Sequence, residues 1–277
     1  MLHIVTDSTC DLRPAEAQSL GVTVVPLTVR FGDEQFRDGI DIDGDTFYRR
    51  LESASALPTT SQPSPEQFAE VYRDLLRDPD DRVLSIHIAQ KWSGTLQSAT
   101  VAAQDFDGRV AAVDSGTVSV GMQFLIRAAI ADRAGGADAD TVVRNTQARR
   151  DRVMIYVLLD TLTYLHKGGR IGPAQAFLGG ILNVKPLLRV VDGEAHPQAR
   201  TRNRQQGVEK LLELVPAGTR LQGLGTMHTS APELLDEVRR RLGDAQPGTE
   251  LIAGQIGPVV GTYVGPRAIG VAWLLAD

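Results

Sequence analysis

The chain has 277 residues, of which 42% are hydrophobic and 23% charged, a balance that can supply a core large enough to enclose a ligand. The formal net charge of −5 argues against nucleic-acid binding, because phosphate backbones require concentrated Lys and Arg. The single cysteine, Cys10, excludes an intrachain disulfide and a cysteine-based zinc site. The first residues read as a strand and not as a signal peptide, and the apolar runs are too short to span a membrane, so we expect a cytoplasmic protein without stable membrane insertion.

The first half of the chain alternates short apolar runs with amphipathic segments. This alternation predicts a mostly parallel sheet with helices on both faces. Within it, Asp45 is expected to cap one helix, and Gly32-Asp33 to form the turn of a hairpin. The predicted strands cover residues 3–6, 22–29, 83–88 and 109–113; the predicted helices cover 12–20, 45–51, 66–77, 93–104, 120–133 and 139–150; a hairpin covers 31–42 and a loop covers 53–65.

The pattern changes after Arg150, where hairpins and helices together favour an α+β domain. Asp192-Gly193 between two strand-like runs is a strong hairpin signal. We therefore predict an α/β protein of two domains: a mostly parallel α/β/α domain over residues 1–150 and an α+β domain over 151–277. The predicted elements of the second half are strands over 153–159, 187–191, 195–200, 221–228, 250–256 and 268–275, helices over 205–214 and 231–242, and a broken helix over 162–183.

Common enzyme signatures are missing from the sequence. It contains no nucleotide P-loop, no G-x-G-x-x-G, no H-E-x-x-H and no G-x-S-x-G elbow. Its five histidines lack metal-ligand spacing. Asp41, Asp43, Asp45 and Glu52 have the spacing of a calcium loop, but Thr46 stands where that loop needs glycine. We therefore predict no catalytic residue, no metal and no cofactor.

Three segments concentrate hydroxyl side chains, namely residues 6–9, 59–63 and 92–95. Ligands of open α/β sheets bind at the carboxyl ends of the strands, where the first and third segments should emerge. Ser93 follows a strand and starts a helix, whose free N–H groups suit a carboxylate or phosphate. Two interpretations stay open, since Ser93 is either an anion ligand or only a helix N-cap. The segments contain no Lys or Arg, apart from Lys91 beside the third, which favours a monoanion over a polyphosphate.

An apolar helical face over residues 174–182 is a further candidate feature. Its side chains recur at spacings of three and four, and Gly179-Gly180 would let a ligand or a neighbouring backbone approach closely. Phe177 and Ile181 of this face are candidate contacts for a ligand, although such a face also serves as plain core. A second glycine pair, Gly168-Gly169, breaks the helix before this face and could display Arg170.

Together, the short motifs resemble those of the DegV family. They follow the order seen in that family over essentially the whole chain, so the set is specific although each motif is weak. The motifs are TDSTCDL at 6–12, TSQPSP at 60–65, SGTLQSA at 93–99, DS at 114–115, YLHKGGRIG at 164–172, ILNVKPLLRVVDG at 181–193 and GTYVGPRAIGV at 261–271.

The resemblance implies two α/β domains with a fatty acid bound between them. Its carboxyl group would be held by hydroxyls of the TSQP and SGT motifs, which here are Thr60, Ser61 and Ser93, with Gly94 and Thr95 as neighbours. The acyl chain, of palmitate, stearate or oleate type, would run into an apolar tunnel.

Bacterial members of the family resembled here act as the lipid-binding subunit of a fatty acid kinase and present the carboxylate to a separate ATP-using subunit. By this resemblance, Arg170, Arg200 and Arg202 are candidates for docking that subunit or stabilising phosphate. Many relatives have H-x-G-P-G in the closing motif, whereas Tyr263 and Arg267 stand at its two ends here. A phenol can donate a hydrogen bond but cannot carry positive charge as histidine can, while Arg267 could supply that charge or face solvent. Carboxyl binding tolerates this change more easily than a role in phosphoryl transfer.

Three functions therefore compete. We expect a non-enzymatic carrier of a long-chain fatty acid, because burial of an acyl chain requires neither a metal nor a catalytic base. One alternative is an acyl-directed enzyme with Ser93 as nucleophile, for which His87 would have to serve as the base. The other is a phosphotransfer partner that binds a small polar ligand.

Overall fold

The computed structural model describes residues 1–178 and 184–276. The strands are β1 (Leu2–Asp7), β2 (Val22–Val25), β3 (Thr28–Phe31), β4 (Glu34–Arg37), β5 (Thr59–Ser61), β6 (Arg82–His87), β7 (Val110–Asp114), β8 (Val153–Leu158), β9 (Lys185–Val191), β10 (Glu194–Thr201), β11 (Leu221–His228), β12 (Leu251–Gln255) and β13 (Ile269–Leu275). The α-helices are α1 (Pro14–Leu20), α2 (Gly44–Ser53), α3 (Pro65–Leu75), α4 (Thr95–Ala103), α5 (Val120–Ala134), α6 (Ala139–Arg149), α7 (Thr163–Lys167), α8 (Arg204–Glu213), α9 (Pro232–Ala245) and α10 (Pro258–Val264).

Four parallel strands form the sheet of the first half, in the order β2-β1-β6-β7. Consecutive residues of a strand point to opposite faces, so Ile4 and Val5 of β1 enter two different core clusters. Helices α5 and α6 complete the cluster around Ile4, and α3 and α4 complete the cluster around Val5. The predicted parallel sheet with helices on both faces is confirmed.

A small antiparallel sheet of order β4-β3-β5 corrects two predictions. The single strand predicted over 22–29 is wrong, because it divides around Pro26 and its two parts join different sheets. Proline has no N–H to donate, which disfavours it inside a ladder. The loop predicted over 53–65 contains β5, whose Thr60 pairs with Val29 of β3.

The N-terminus of α2 also differs from the prediction. Asp43, and not Asp45, is the N-cap, and its carboxylate accepts a hydrogen bond from the N–H of Thr46 at 2.8 Å. A capping side chain must precede the helix to reach the N–H of its second or third residue, and Asp45 lies too far along the chain to do so. Asp45 instead lies in the first turn and accepts a hydrogen bond from Gln255 Nε2 at 3.0 Å.

The second half forms a mixed six-stranded sheet of order β10-β9-β8-β13-β11-β12. Strands β11 and β12 run parallel, and the other neighbouring pairs run antiparallel. The predicted hairpin is confirmed, since Asp192 and Gly193 have φ values of 49° and 70°, as a two-residue type I′ turn requires. The two large sheets lie on either side of residue 150, while the exact division into 1–150 and 151–277 stays a prediction.

The apolar stretch after β8 is not one regular helix. Gly169, with a φ of 72°, separates α7 from a 3₁₀ helix over Gly172–Phe177. The tighter winding of a 3₁₀ helix turns side chains away from the single face that a spacing of three and four predicts. The remainder of the predicted face, 179–183, lies outside the described residues.

The glycine-rich segment between β12 and β13 contains α10, an element that the sequence pattern does not predict. Helix α10 begins at Pro258, which suits a first helical position because its missing N–H would be unpaired there. It packs against α2 and α7 and reaches β3 and β5, so it links the second half of the chain to the first. Within the described residues, the helices are too short or too polar to cross a membrane.

Candidate functional site

A cavity of about 270 Å³ is lined by side chains from both halves of the chain. It brings together five residues that the sequence analysis selects: Thr60, Ser61, Ser93, Arg170 and Tyr263. The other lining residues are Thr9, Leu27, Gln62, Ile88, Trp92, Val118, Leu165, Val259, Val260 and Val264. Hydroxyl groups therefore converge on an otherwise mainly apolar space.

A second cavity of about 90 Å³ adjoins the first. Both are lined by Trp92, Val118, Leu165, Val260 and Val264. The further lining of the smaller cavity is mostly apolar and includes Val120, Ile155, Val157, Leu159, Leu188, Val190, Met227, Ile256, Val271 and Ala272. The hydroxyl-lined cavity therefore adjoins a cavity that lies in the apolar core of the second half.

Thr60 and Tyr263 form the centre of the polar end. Their hydroxyl oxygens lie 2.6 Å apart and share a hydrogen bond. The guanidinium carbon of Arg170 lies 4.8 Å from the centre of the Tyr263 ring, within the range of a cation–π contact. Arg170 also donates hydrogen bonds to the carbonyl oxygens of Trp92 at 3.2 Å and Gly168 at 2.8 Å. A fixed positive charge thus lines the cavity, which the loops alone did not indicate.

Glycine at position 168 is required by this arrangement. A Cβ atom there would lie 2.5 Å from Cδ1 of the Tyr263 ring, so the ring packs directly on the backbone. The glycines between α7 and the 3₁₀ helix therefore do more than interrupt a helix. They let α10 and α7 approach each other closely enough to hold Tyr263 beside Arg170.

Ser93 is not the N-cap of α4. That position belongs to Gly94, which makes no side-chain capping bond. Ser93 Oγ instead shares a hydrogen bond with Thr95 Oγ1 at 2.8 Å and accepts a longer one from the N–H of Thr95 at 3.3 Å. Ser93 lines the cavity, and the N-cap position belongs to Gly94, while the role of Ser93 as an anion ligand stays a prediction.

The TSQP and SGT motifs are held together by one side chain. Gln62 Nε2 donates a hydrogen bond to Ser98 Oγ at 3.0 Å, and the same amide group lies over Gly94. A Cβ atom at Gly94 would lie 2.4 Å from Gln62 Oε1. Gly94 and the buried Thr95 are therefore neighbours of the cavity wall and do not belong to its lining.

The remaining candidates lie away from this cavity. The Phe177 ring stacks under Arg200, whose guanidinium carbon is 4.5 Å from the ring centre, and neither side chain lines the two cavities. Arg202 is exposed. Arg267 is exposed as well, 3.8 Å from Glu233. Ile181 lies outside the described residues, so its predicted contact with a ligand stays a prediction.

His87 is not positioned as a general base for Ser93. Its Nδ1 lies 2.9 Å from Asp7 Oδ2 and its Nε2 lies 2.7 Å from Ser85 Oγ, and all three side chains are fully buried. Ser85 in turn accepts a hydrogen bond from the hydroxyl of Tyr72 at 2.9 Å. The imidazole is thus occupied on both nitrogens inside the core. The enzyme alternative loses the base on which it depended.

Several lining residues are missed by the sequence analysis. Trp92 and Gln62 lie inside the hydroxyl-rich segments and are only overlooked as contacts. Val260 and Val264 are four residues apart in α10 and share one helical face, a signal hidden by the glycines and proline around them. Val118 precedes α5 and carries no sequence signal of its own.

The fold and the cavity define an α/β protein of two sheet-based halves with a mostly apolar cavity lined by both of them. The chain belongs to the DegV family: the family model described as "uncharacterised protein, DegV family" matches residues 1–276. The resemblance seen in the motifs is confirmed.

Individual relatives agree with this assignment. A DegV domain-containing protein from Deinococcus radiodurans is 39% identical over 278 residues, which cover 98% of this chain and 97% of that protein. A DegV family protein from Thermus thermophilus, whose structure is described as showing fatty acid binding, has a TM-score of 0.93 and 35% identity, with 99% of each chain covered. DegV from Bacillus subtilis, described as a fatty acid binding protein, has a TM-score of 0.89 and 28% identity, again with 99% of each chain covered.

Proposed function

We propose that this chain binds one long-chain fatty acid, with the carboxyl group at the polar end of the cavity and the acyl chain in the apolar end. The observation that carries the proposal is the gradient within one space: Thr60, Tyr263 and Arg170 at one end, and core valines, leucines and isoleucines at the other. The fatty acid binding described for the Thermus and Bacillus relatives supports the same ligand.

The polar end suits an ionised carboxyl group. A carboxylate that leaves water needs several donors or a cation, since an unpaired buried charge is costly. Hydroxyl groups of Thr60, Ser93 and Tyr263 can donate, and Arg170 supplies the positive charge. The arrangement offers a monoanion enough partners without a metal or a cofactor.

The apolar end supplies the affinity. Burial of one CH₂ contributes roughly 0.8 kcal/mol, so a chain of about 16 carbons contributes on the order of 10 kcal/mol before ordering costs. The two cavities measure about 270 and 90 Å³, and ligand sites commonly span ~300–1,000 Å³. A small polar ligand would leave the apolar lining of both cavities uncovered, whereas an acyl chain would cover it, which disfavours a phosphotransfer partner with a small polar ligand.

The proposed role is that of a carrier and not of an enzyme, because His87 is sequestered from Ser93. Presentation of the carboxylate to a separate kinase subunit stays a prediction. Of its four arginine candidates, Arg170 lines the cavity, while Arg200, Arg202 and Arg267 are exposed. Exposed arginines suit a docking surface, and Arg170 suits the carboxylate itself.

Lipid analysis of the purified protein tests the proposal. Organic extraction and mass spectrometry should find a fatty acid in stoichiometric amount, and the delipidated protein should take up palmitate or oleate. Hexadecanol, which has the same chain without the carboxyl group, should bind more weakly than palmitate. A lipid-free preparation that also takes up no fatty acid would overturn the proposal, and equal affinity for hexadecanol would remove the role assigned to the polar end.

A further inference from the structure

Helix α10 is the part of the second half that builds most of the site. In only seven residues, Pro258–Val264, it supplies Tyr263 to the polar end and three valines to the lining. It packs tightly on α2, since a Cβ atom at Gly261 would lie 2.5 Å from Tyr48 Oη. Tyr48 donates a hydrogen bond to the carbonyl oxygen of Ile256 at 2.9 Å, just before the helix. The position of α10 therefore decides the geometry of the site.

The N-terminus of α10 is capped from the other half of the chain. Its own N-cap residue, Gly257, has no side chain that could accept a hydrogen bond. Asp11 Oδ1 accepts the N–H of Gly257 at 2.9 Å instead. Asp38 lies against the backbone N–H of Val259 and the hydroxyl of Ser8.

Both carboxyl groups converge on the same point of the backbone. A Cβ atom at Gly257 would lie 3.0 Å from Asp11 Oδ1 and 3.3 Å from Asp38 Oδ1. One oxygen of each group, Oδ2, is buried without a hydrogen-bond partner among the described residues. Two half-satisfied carboxyl groups are a costly solution for filling space, where an apolar side chain would be cheaper.

The electrostatic surroundings are acidic. Burial raises the pKa of Asp11 to about 8 and that of Asp38 to about 7. Three other titratable groups interact with the pair, namely Cys10, Tyr48 and Asp7. Burial is the main cause of the raised pKa values of Cys10 and Tyr48. Asp7 is hydrogen-bonded to His87, to Thr9 and to the N–H of Ile88. The charged residues that line the cavity of about 480 Å³ beside the pair are Arg13, Glu16 and Asp43.

None of those surface charges neutralises the pair. Arg13 is bound to Glu16 at 2.7 Å, and Asp43 caps α2. The favourable partners of the two carboxyl groups are therefore the hydroxyls of Ser119 and Ser8 and the backbone N–H groups at the start of α10.

We propose that Asp11 and Asp38 are positioning residues of the acyl site, an inference that rests on the proposed function. By capping α10 across the junction of the two halves, they fix the distance between Tyr263 and Thr60 and the placement of the valine lining. They do not touch the ligand. Their effect on affinity is transmitted through the helix that they hold.

Fluorescence of Trp92 provides the readout, because this residue lines both cavities and the other tryptophan, Trp273, can be replaced by phenylalanine. In that background, Asp11→Ala should weaken palmitate binding about fivefold to tenfold, as expected when a helix loses its capping acceptor. Asp11→Asn keeps an acceptor oxygen and should stay within about twofold of the parent. Asp38→Ala should weaken binding in the same direction and serves as the second variant if Asp11→Ala fails to fold.

A matched control is Asp138→Ala. Asp138 caps α6 by accepting the N–H of Thr141 at 2.7 Å, and α6 contributes no residue to either cavity. This variant should lose stability and keep its affinity. Hydrogen exchange of the amides at 259–264 in the ligand-free protein measures the stability of α10 without a ligand, and Asp11→Ala should accelerate it while Asp138→Ala should not.

The outcomes separate the two proposals. A parent protein that binds no fatty acid overturns the proposed function, and exchange at 259–264 then still reports whether Asp11 holds the helix. A parent that binds, together with unchanged affinity and unchanged exchange in Asp11→Ala, overturns the positioning role alone. Equal losses in Asp11→Asn and Asp11→Ala, or an equal loss in Asp138→Ala, would also count against it.

Discussion

The hydroxyl oxygens of Thr60 and Tyr263 lie 2.6 Å apart, although the two residues are separated by 203 positions in the chain. Thr60 lies on β5 of the small sheet and Tyr263 on α10, so the hydrogen bond joins the first half of the molecule to the second. It also gives the phenol of Tyr263 a defined partner. The polar end of the site exists only because these two elements meet.

Removal of the Tyr263 hydroxyl should weaken the site. In Tyr263→Phe, Thr60 loses its partner and the carboxylate loses a donor, so we expect palmitate affinity to fall by about 1 kcal/mol, or about fivefold. Titration followed by Trp92 fluorescence measures this change. The control is Tyr72→Phe, which deletes a hydroxyl bound to Ser85 inside the core and should lower stability but not affinity. Unchanged affinity in Tyr263→Phe would contradict the role of the pair.

Ser93 and Ser64 should show opposite effects when each is replaced by alanine. Ser93 lines the cavity and is not an N-cap, so Ser93→Ala should weaken palmitate binding severalfold and change the free energy of unfolding by less than about 0.5 kcal/mol. Ser64 caps α3 by accepting the N–H of Gln67 at 3.3 Å. Ser64→Ala should cost about 1 kcal/mol of stability and leave affinity unchanged. Chemical denaturation and ligand titration of both variants provide the comparison, and a loss of stability alone in Ser93→Ala would return Ser93 to a structural role.

Enlargement of a residue where the two cavities meet should select against long ligands. Val260 lines both cavities, and the ring of Val260→Phe would fill the passage between them. We expect palmitate affinity to fall more than tenfold while octanoate is much less affected, because only the long chain must pass the new ring. Val101→Phe, at an exposed position on α4, controls for the added ring. An equal loss of affinity for palmitate and octanoate would show that Val260 does not lie between the carboxyl group and the far end of the acyl chain.

The acid pair should make stability depend on pH. Asp11 and Asp38 ionise near their ordinary pKa of 3.8 in the unfolded chain, but near pH 8 and 7 in the folded one. Between these values the folded state binds more protons than the unfolded state, so the free energy of unfolding falls as the pH rises from about 4 to about 8. Asp38→Asn removes one of these two groups. Between pH 5 and pH 8.5, the free energy of unfolding of the variant should therefore fall less than that of the parent.

Denaturation in urea at pH 5 and pH 8.5 measures the effect. One unit of pKa shift corresponds to about 1.4 kcal/mol in the free energy of unfolding. The raised pKa values of Asp11 and Asp38 should therefore change this free energy by more than the error of urea denaturation. Asp138→Asn is the matched control: hydrogen bonds from Thr141 lower the pKa of Asp138, and its contribution changes only at acid pH. A parent protein whose stability rises between pH 5 and pH 8.5 would contradict the assignment.

Much of the fold follows from local patterns, and much of the site does not. Alternating apolar runs suffice to place β1, β6 and β7 in a parallel sheet, and Asp192-Gly193 suffices for the hairpin of β9 and β10, because these signals lie within a few residues. Ser93 and Thr60 are found by their motifs. The split around Pro26 has a local cause, the missing N–H of proline, which the apolar run over 22–29 outweighs in the prediction. The 3₁₀ winding at Gly172 is decided by tertiary packing, which overrides the local pattern.

The contacts that complete the site join distant segments. Nothing near Thr60 in the sequence indicates that Tyr263 will be its partner. The position of Arg170 in the cavity likewise depends on the Tyr263 ring, which contacts its guanidinium group and packs on Gly168. Likewise, no local pattern indicates that Asp11 will cap α10 by accepting the N–H of Gly257, which lies 246 positions further along the chain. Such pairs are specified by the assembled fold.

Strand β13 lies between β8 and β11, in the interior of a sheet whose five other strands all precede it in the chain. During synthesis, β8 and β11 must therefore wait for a neighbour that emerges after both of them, and their apolar residues stay uncovered in the meantime. Val271 and Ala272 of this strand also line the smaller cavity. A growing chain accordingly lacks part of the wall of this cavity until β13 is inserted between β8 and β11.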